Sequence, residues 1–379
     1  QAAAIDDDMR KMPNPVEGMN MYNNIDNDIV DAMNGAVNRS YPRIAHRYYE
    51  FLRQSLGLEK LKGWDRNAPL QAREESKISY GNAKKIVLAA YRSFSPRMAD
   101  IAQKFFDNNW IDARVTPDKQ SGAFSSPNSI DTHPVVLLNY LGTPRDVATM
   151  AHELGHGVHQ YLAAKKLQSE MASNTPLTVA ETASVFGERI TFESLLALET
   201  DPENRIDLLA GKINDMINTV MRQNAFFNFE KKLHATRKEA GRDLEAKEIN
   251  QIYLDTQKEM LGDAFDLDVK YGLEWSYIPH FIDSPYYVYA YPFGECFVNS
   301  LYRKYQEAED KQEFAEKYIR MLESGGTKSA EELVKEFDLD LRDPSFWDGG
   351  MKAIEELMDR LEQEVAALPR KPSPGPSPT

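Results

Sequence analysis

Two histidines four residues apart, His152 and His156, followed 25 residues later by Glu181, constrain this chain more than any other feature. In a helix, positions i and i+4 lie one above the other, so both imidazoles of His152-Glu153-Leu154-Gly155-His156 can reach one tetrahedral ion. A fold that uses them must carry this stretch as a helix and bring a second element, bearing Glu181, against its face. Glu153 stands about 100° round the helix from His152. There it flanks the ligands and can hydrogen-bond a water held by the metal, which makes it a base rather than a ligand.

The chain has seven histidines and is rich in acids, so a five-residue motif can arise by chance and its surroundings must decide. Thr143-Pro144-Arg145-Asp146 precedes it. Thr143 reads as the N-cap, Pro144 as the first helical residue, and Asp146 lies three residues after the cap, near the positive helix end. The motif therefore falls in the middle of a predicted helix that runs to about Lys166. Upstream, Val135-Val136-Leu137-Leu138-Asn139-Tyr140 is a short apolar run, a strand or buried core. Downstream, Ser173-Asn174-Thr175-Pro176 reads as a loop and cap that starts a second helix, with Glu181 in its second turn.

Two histidines and one glutamate leave the fourth zinc position to water, the open arrangement of a catalytic site. The small residues Gly155, Gly157, Ala180, Ala183 and Ser184 would let the two helices approach closely. Glu188, seven residues after Glu181, shares nearly the same face. It is expected either to accept the second ring N–H of a zinc histidine or to form a surface salt bridge. His159 lies near the ligand face too. A third metal histidine on one helix would crowd the ion, so His159 is expected beside the ligands or in the core.

The stretch His152-Glu-Leu-Gly-His156-Gly-Val-His159, with Glu181 and Glu188 at these intervals, resembles the thimet oligopeptidase and oligoendopeptidase F family of zinc metallopeptidases, most closely the bacterial oligoendopeptidase F branch. The likeness extends to Ser121-Gly122-Ala123-Phe124, to Val136–Tyr140, and to His280-Phe281-Ile282-Asp283-Ser284-Pro285-Tyr286-Tyr287-Val288-Tyr289. It implies a mainly α, zincin-type fold with a small β-sheet and a deep substrate channel, holding one Zn²⁺ and cleaving short peptides. It also implies that His280 and Tyr289 face the metal across the cleft as catalytic hydrogen-bond donors, with Tyr286 and Tyr287 nearby to bind substrate. Gly122, Ala123 and Phe124 would belong to an edge strand that pairs with substrate backbone. From the residues alone, the tyrosine run reads as an aromatic core stripe and the glycine as a flexible turn.

Two departures from the family pattern carry expectations. Family members have a sizeable helical region before the matched part, whereas this chain begins at Gln1-Ala2-Ala3-Ala4, so part of one channel wall is expected to be missing. In Tyr291-Pro292-Phe293-Gly294, the proline should kink the segment and displace Tyr289.

The remaining composition narrows the class. At 379 residues and 42% hydrophobic, residues 1–368 can form one large catalytic domain, with two helical lobes flanking a cleft. The Pro/Ser-rich stretch 369–379 reads as a disordered tail. A net charge of −14 argues against a nucleic-acid partner. No apolar run reaches the roughly 18 residues that span a bilayer. The single cysteine, Cys296, fits a reducing compartment such as the cytoplasm rather than the periplasm or a secreted state. Oligomeric state has no signature here.

Helical periodicity dominates, over 27–56, 82–91, 96–109, 203–238, 247–261, 286–306, 311–322, 330–337 and 352–368, and strands are few. Two rival readings are a zinc aminopeptidase, disfavoured by the lack of a Gly-x-Met-Glu-Asn element for gripping a free amino end, and a catalytically impaired peptide-binding remnant.

Overall fold

The computed structural model describes residues 5, 7, 9–70 and 77–368; the expected tail 369–379 lies outside them. The architecture is helical, as the periodicity predicts. Its principal helices are α1 (Asn27–Ser40), α2 (Arg47–Ser55), α3 (Tyr80–Phe94), α4 (Pro96–Asp107), α5 (Pro144–Leu167), α6 (Thr182–Leu198), α7 (Pro202–Met216), α8 (Gln223–Ala240), α9 (Ala246–Leu261), α10 (Ala290–Glu307), α11 (Lys311–Glu323) and α12 (Pro344–Ala367). One small sheet accompanies them, with β1 (Ile111–Asp112) parallel to β3 (Val135–Leu137) and β2 (Phe124–Ser126) antiparallel to it on the other side.

The start of α5 follows from its sequence. The Thr143 hydroxyl accepts from the Asp146 N–H, and the Asp146 carboxylate accepts from the Thr143 N–H, so two orphan donors of the first turn are satisfied reciprocally. Pro144 occupies the first helical position. Among the described residues, α5 and α6 pack against one another more extensively than any other pair of elements. Gly155 permits this: a Cβ there would stand 2.4 Å from the Ala183 carbonyl oxygen and 2.5 Å from the Ser184 Cα. Gly157 serves a different contact. Its missing Cβ leaves room for the Phe105 ring of α4.

Several expected boundaries moved, each for a local reason. The stretch 27–56 is not one α-helix, because the π-helical segment Pro42–His46 separates α1 from α2. The long helix expected over 203–238 is interrupted in the same way at Ile217–Arg222, between α7 and α8. α12 begins at Pro344, eight residues before the expected start, capped by Asp343. Its Gly349 and Gly350 look like breakers in sequence, yet Gly350 is where the helix passes α10, a Cβ there lying 2.8 Å from the Cys296 carbonyl oxygen. α10 starts at Ala290 rather than Tyr286, so Pro292 falls in its first turn. There a missing N–H costs no helical hydrogen bond. The expected kink at Pro292 is therefore absent.

Candidate metal centre

Glu181 occupies a break between helices. The short helical segment Leu177–Ala180 ends just before it, and Glu181 itself, at φ −80° and ψ 0°, precedes the first residue of α6. The expectation of a second-turn position is corrected accordingly. Its carboxylate is tied locally by the Ser184 hydroxyl, which donates to Glu181 Oε2 at 2.7 Å. Gly294 of α10 passes directly over it, since a Cβ at Gly294 would lie 3.2 Å from the Glu181 Cβ.

His152, His156 and Glu181 converge. Glu181 Oε2 lies 3.3 Å from Nε2 of His152 and 3.3 Å from Nε2 of His156. The three donor atoms sit within 4.8 Å of one another, a spacing that could hold a metal ion. Tetrahedral coordination at about 2.0–2.1 Å puts neighbouring donors about 3.3–3.4 Å apart, so both measured separations match an edge of the tetrahedron. The two imidazole rings are nearly perpendicular, at 81°.

The electrostatics are those of a cation site. Burial alone would lower the His152 pKa, but hydrogen bonds to Glu181 and Glu188 outweigh it and push the pKa up to about 10. Burial would raise Glu181; its bonds to the two histidines instead hold it well below the carboxylate range. Glu188 reaches His152 Nδ1 through Oε2 at 3.3 Å and accepts from Lys212 Nζ through Oε1 at 2.6 Å. Of its two expected fates, the structure shows the histidine contact, with Glu188 half-buried. Burial would raise Glu188, but Lys212 and His152 together outweigh it and hold the carboxyl at about 2.

Glu153 is 7% exposed, beside the cluster on α5. Its carboxyl is pushed up by burial, against the downward pull of His152 and His156. His159 is buried among Val179, Thr182, Met321, Leu322 and Leu333, which realises the core alternative. Burial, aided by the His156 charge, pushes its pKa down to about 4.

The opposite wall separates the members of the tyrosine run. Tyr286 adopts a left-handed backbone, φ 65°, and its N–H donates to the buried Glu230 Oε1 at 2.8 Å. This reverses the chain before the 3₁₀ turn Tyr287–Tyr289. As a result the rings of Tyr286 and Tyr289 go into the core, both against Phe227. The Tyr289 hydroxyl is occupied by the Asn23 amide, which donates to it at 2.9 Å.

Tyr287 and Tyr291, four apart, remain half-buried with His280. His280 Nε2 lies 3.1 Å from the Tyr291 hydroxyl, and the two tyrosine rings are 5.5 Å apart. Burial and the Glu181 charge raise both phenols, Tyr291 to about 12, so both carry their protons at neutral pH. Sequence reasoning missed Tyr291. Its i+4 spacing from Tyr287 was the available signal.

Gly122, at φ 86°, turns the chain into β2, and its carbonyl accepts from the Asn139 amide at 2.9 Å. β2 lies at an edge of the sheet, with Ala123 just before it and Phe124 39% exposed at its start. Gln160, one turn beyond His156 on α5, receives a hydrogen bond from the Ser125 hydroxyl at 2.8 Å and donates to the Ser125 carbonyl at 3.3 Å. The edge strand is thereby fastened alongside the metal helix.

No described helix is long and apolar enough to cross a membrane. A model of peptidase family M3 matches residues 16–353. Among curated relatives, the oligopeptidase PepF of Bacillus subtilis is 30% identical over 341 residues, covering 90% of this chain and 50% of its own length. An oligoendopeptidase F homologue of Borreliella burgdorferi is 32% identical over 321 residues, covering 84% and 53%. A crystal structure of a peptidase candidate from Chlamydophila abortus superposes with a TM-score of 0.85 at 27% identity, over 96% of this chain and 60% of that one. The oligoendopeptidase-F of Enterococcus faecium gives 0.73 at 24% identity, over 96% and 58%, a likeness of fold. The chain spans about half the length of the curated relatives it matches.

Proposed function

Since the chain belongs to peptidase family M3, we propose that it is a zinc-dependent endopeptidase acting on short peptides, working where its lone thiol, Cys296, stays reduced, as in the cytoplasm. The observation that carries this reading is the convergence of His152, His156 and Glu181 at tetrahedral-edge spacing with buried Glu153 alongside. The donor set fits zinc in both chemistry and separation.

When bound, such an ion supplies Lewis acidity to a water and to the peptide carbonyl. Glu153, its carboxyl raised by burial, takes the proton of the attacking water and passes it to the leaving amine nitrogen. Glu188, steadied by Lys212, keeps the Nδ1–H of His152 engaged, so that Nε2 would offer its lone pair to an ion shared with Glu181. The neutral phenols of Tyr287 and Tyr291, with His280, would donate to the carbonyl oxygen as it gains charge, a reading supported by their half-burial together and by the effect of the Glu181 charge on both phenols. β2 offers its free edge to the peptide backbone, a grip that does not read side chains.

The test joins metal analysis with hydrolysis of a quenched peptide. Glu153→Gln is expected to retain one zinc per chain and to lose turnover by a factor on the order of 10²–10⁴. A variant that keeps near-normal turnover would place the base elsewhere. N-blocked peptides are expected to be cut as well as free ones; a requirement for a free amino end would favour the aminopeptidase alternative.

A further inference from the structure

Beyond the tyrosine wall lies a polar cluster that the reaction leaves unused. Arg66, in the 3₁₀ turn Gly63–Asn67, donates through Nη1 to the Tyr271 hydroxyl at 3.0 Å. Arg222 ends the π-helical segment Ile217–Arg222 and donates through Nη2 to the Tyr277 hydroxyl. The Nε of each arginine is buried without a partner. So are the hydroxyls of Tyr49 and Tyr253, both 0% exposed. Arg222 sits 4.7 Å from the Phe226 ring, Phe226 lies 6.1 Å from Tyr253, and Tyr253 lies 6.4 Å from the Tyr271 ring whose hydroxyl Arg66 holds, so both guanidiniums share one locality, with Tyr49 and Glu274 in their field. Among the described residues, each bonds a phenol and neither bonds a carboxylate.

Four buried groups with a proton to donate and nothing to receive it are a strong demand for an acceptor, since interiors rarely leave donors unpaired. The planar fork formed by Nε and the adjoining Nη of a guanidinium matches a carboxylate. Location supplies the second half of the argument. Tyr277, whose hydroxyl Arg222 holds, precedes His280 by three residues, so at most about 10 Å of chain separates their backbones. Arg222 lies ten residues beyond Lys212, which holds Glu188 on α6, or about 15 Å along the helical axis.

We propose that Arg66, Arg222, Tyr49 and Tyr253 form a cradle for a carboxylate, and that this carboxylate is the free C-terminal end of a peptide held at the metal centre. The proposal rests on the peptidase reading for its ligand. It makes the cradle a ruler, setting how far past the reacting bond a well-bound peptide ends.

The experiment measures the affinity of an N-blocked hexapeptide, as free acid and as C-terminal amide, for the zinc-loaded Glu153→Gln chain. The acid is expected to bind about tenfold more tightly. Arg222→Gln should erase that preference, and Tyr253→Phe, which retains the ring and its packing, should reduce it part way. Added acetate should weaken the acid and leave the amide unchanged. Equal affinities in the parent chain overturn the proposal, as does a preference that survives both Arg66→Gln and Arg222→Gln. If acetate raises the melting temperature through these arginines while acid and amide bind alike, the cradle takes a free carboxylate and the peptide-end assignment is overturned. Turnover by the wild-type chain is scored separately. No hydrolysis with the acid preference intact sinks the peptidase reading and leaves the cradle, whereas hydrolysis with no preference does the reverse.

Discussion

On one side of the site, His152, His156 and Glu181 hang from two helices whose separation is fixed by a missing Cβ at Gly155. On the other, His280, Tyr287 and Tyr291 hang from a chain that reverses at one left-handed residue, Tyr286. The first wall is over-determined: helical spacing, a capping box and a close helix crossing all place the same three donors. The second depends on a conformation that costs a bulky residue of order 1–3 kcal/mol and persists only because its surroundings hold it. Charge-bearing donors sit on the rigid wall, and the neutral donors sit on the one that can be reset.

Glu230 is the part of the surroundings most open to attack. It is 1% exposed, accepts the Tyr286 N–H through Oε1, and leaves Oε2 without a partner. Burial pushes its pKa up to about 8, only partly offset by that hydrogen bond. A carboxyl raised in the folded state binds more protons there than in the unfolded chain. Stability therefore falls as pH rises from the unfolded value near 4.5 to about 8, by roughly 3–5 kcal/mol at 1.36 kcal/mol per unit. Glu230→Gln keeps an acceptor for Tyr286 and removes the titration. Urea unfolding should show the variant close to wild type at pH 4.5 and markedly more stable at pH 8.5. Parallel pH profiles would mean that the aromatic wall is not under this strain.

Tyr291→Phe probes the same wall at its half-buried face. If the half-buried phenol donates to the reacting oxygen, its loss should cost about 2.7–4 kcal/mol of transition-state stabilisation, seen mainly in kcat. An unaltered kcat would remove Tyr291 from the mechanism. The rigid wall is tested through Lys212, whose ammonium holds Glu188 against His152. Lys212→Met should weaken zinc binding by about 10–100-fold in chelator competition, and Lys212→Arg should restore much of it. Zinc affinity indifferent to both changes would show that Glu188 needs no such support.

The two walls also differ in how far the sequence disclosed them. The start of α5, the motif face and the distant glutamate were legible, because each follows from local chemistry or helical spacing, whereas spacing left the Glu188 contact as one of two fates. The break at Glu181 was not, since a four-residue helical segment and the 17-residue α6, with one non-helical residue between them, carry the same periodicity as a single helix. Nor were the π-helical insertions at Pro42–His46 and Ile217–Arg222, which leave composition unchanged while shifting the face that follows. The glycines of α12 misled for a related reason: Gly350 is there for close passage over Cys296, and nothing local distinguishes that from a helix end. At Tyr286, the deciding fact is a positive φ, to which alternation and spacing are blind.

Tyr289 separates the two accounts of the aromatic wall most cleanly. The family resemblance implies a hydroxyl aimed at the metal, whereas here it accepts the Asn23 amide in a fully buried site against Phe227. In that setting Tyr289→Phe removes one neutral hydrogen bond and strands the Asn23 donor, with no change in ring packing. The expected cost is about 1 kcal/mol of unfolding free energy, with kcat and KM retained. Because Tyr291→Phe is expected to do the opposite, spending its effect on kcat and little on stability, the pair forms a double dissociation that neither variant provides alone. If Tyr289→Phe instead lowers kcat by the amount forecast for Tyr291, the chain must reach a second arrangement during turnover. In that arrangement Tyr286 leaves its left-handed conformation and the run rotates Tyr289 toward Glu181, and Glu230→Ala, which removes the acceptor of the Tyr286 N–H, should then alter turnover as well as stability.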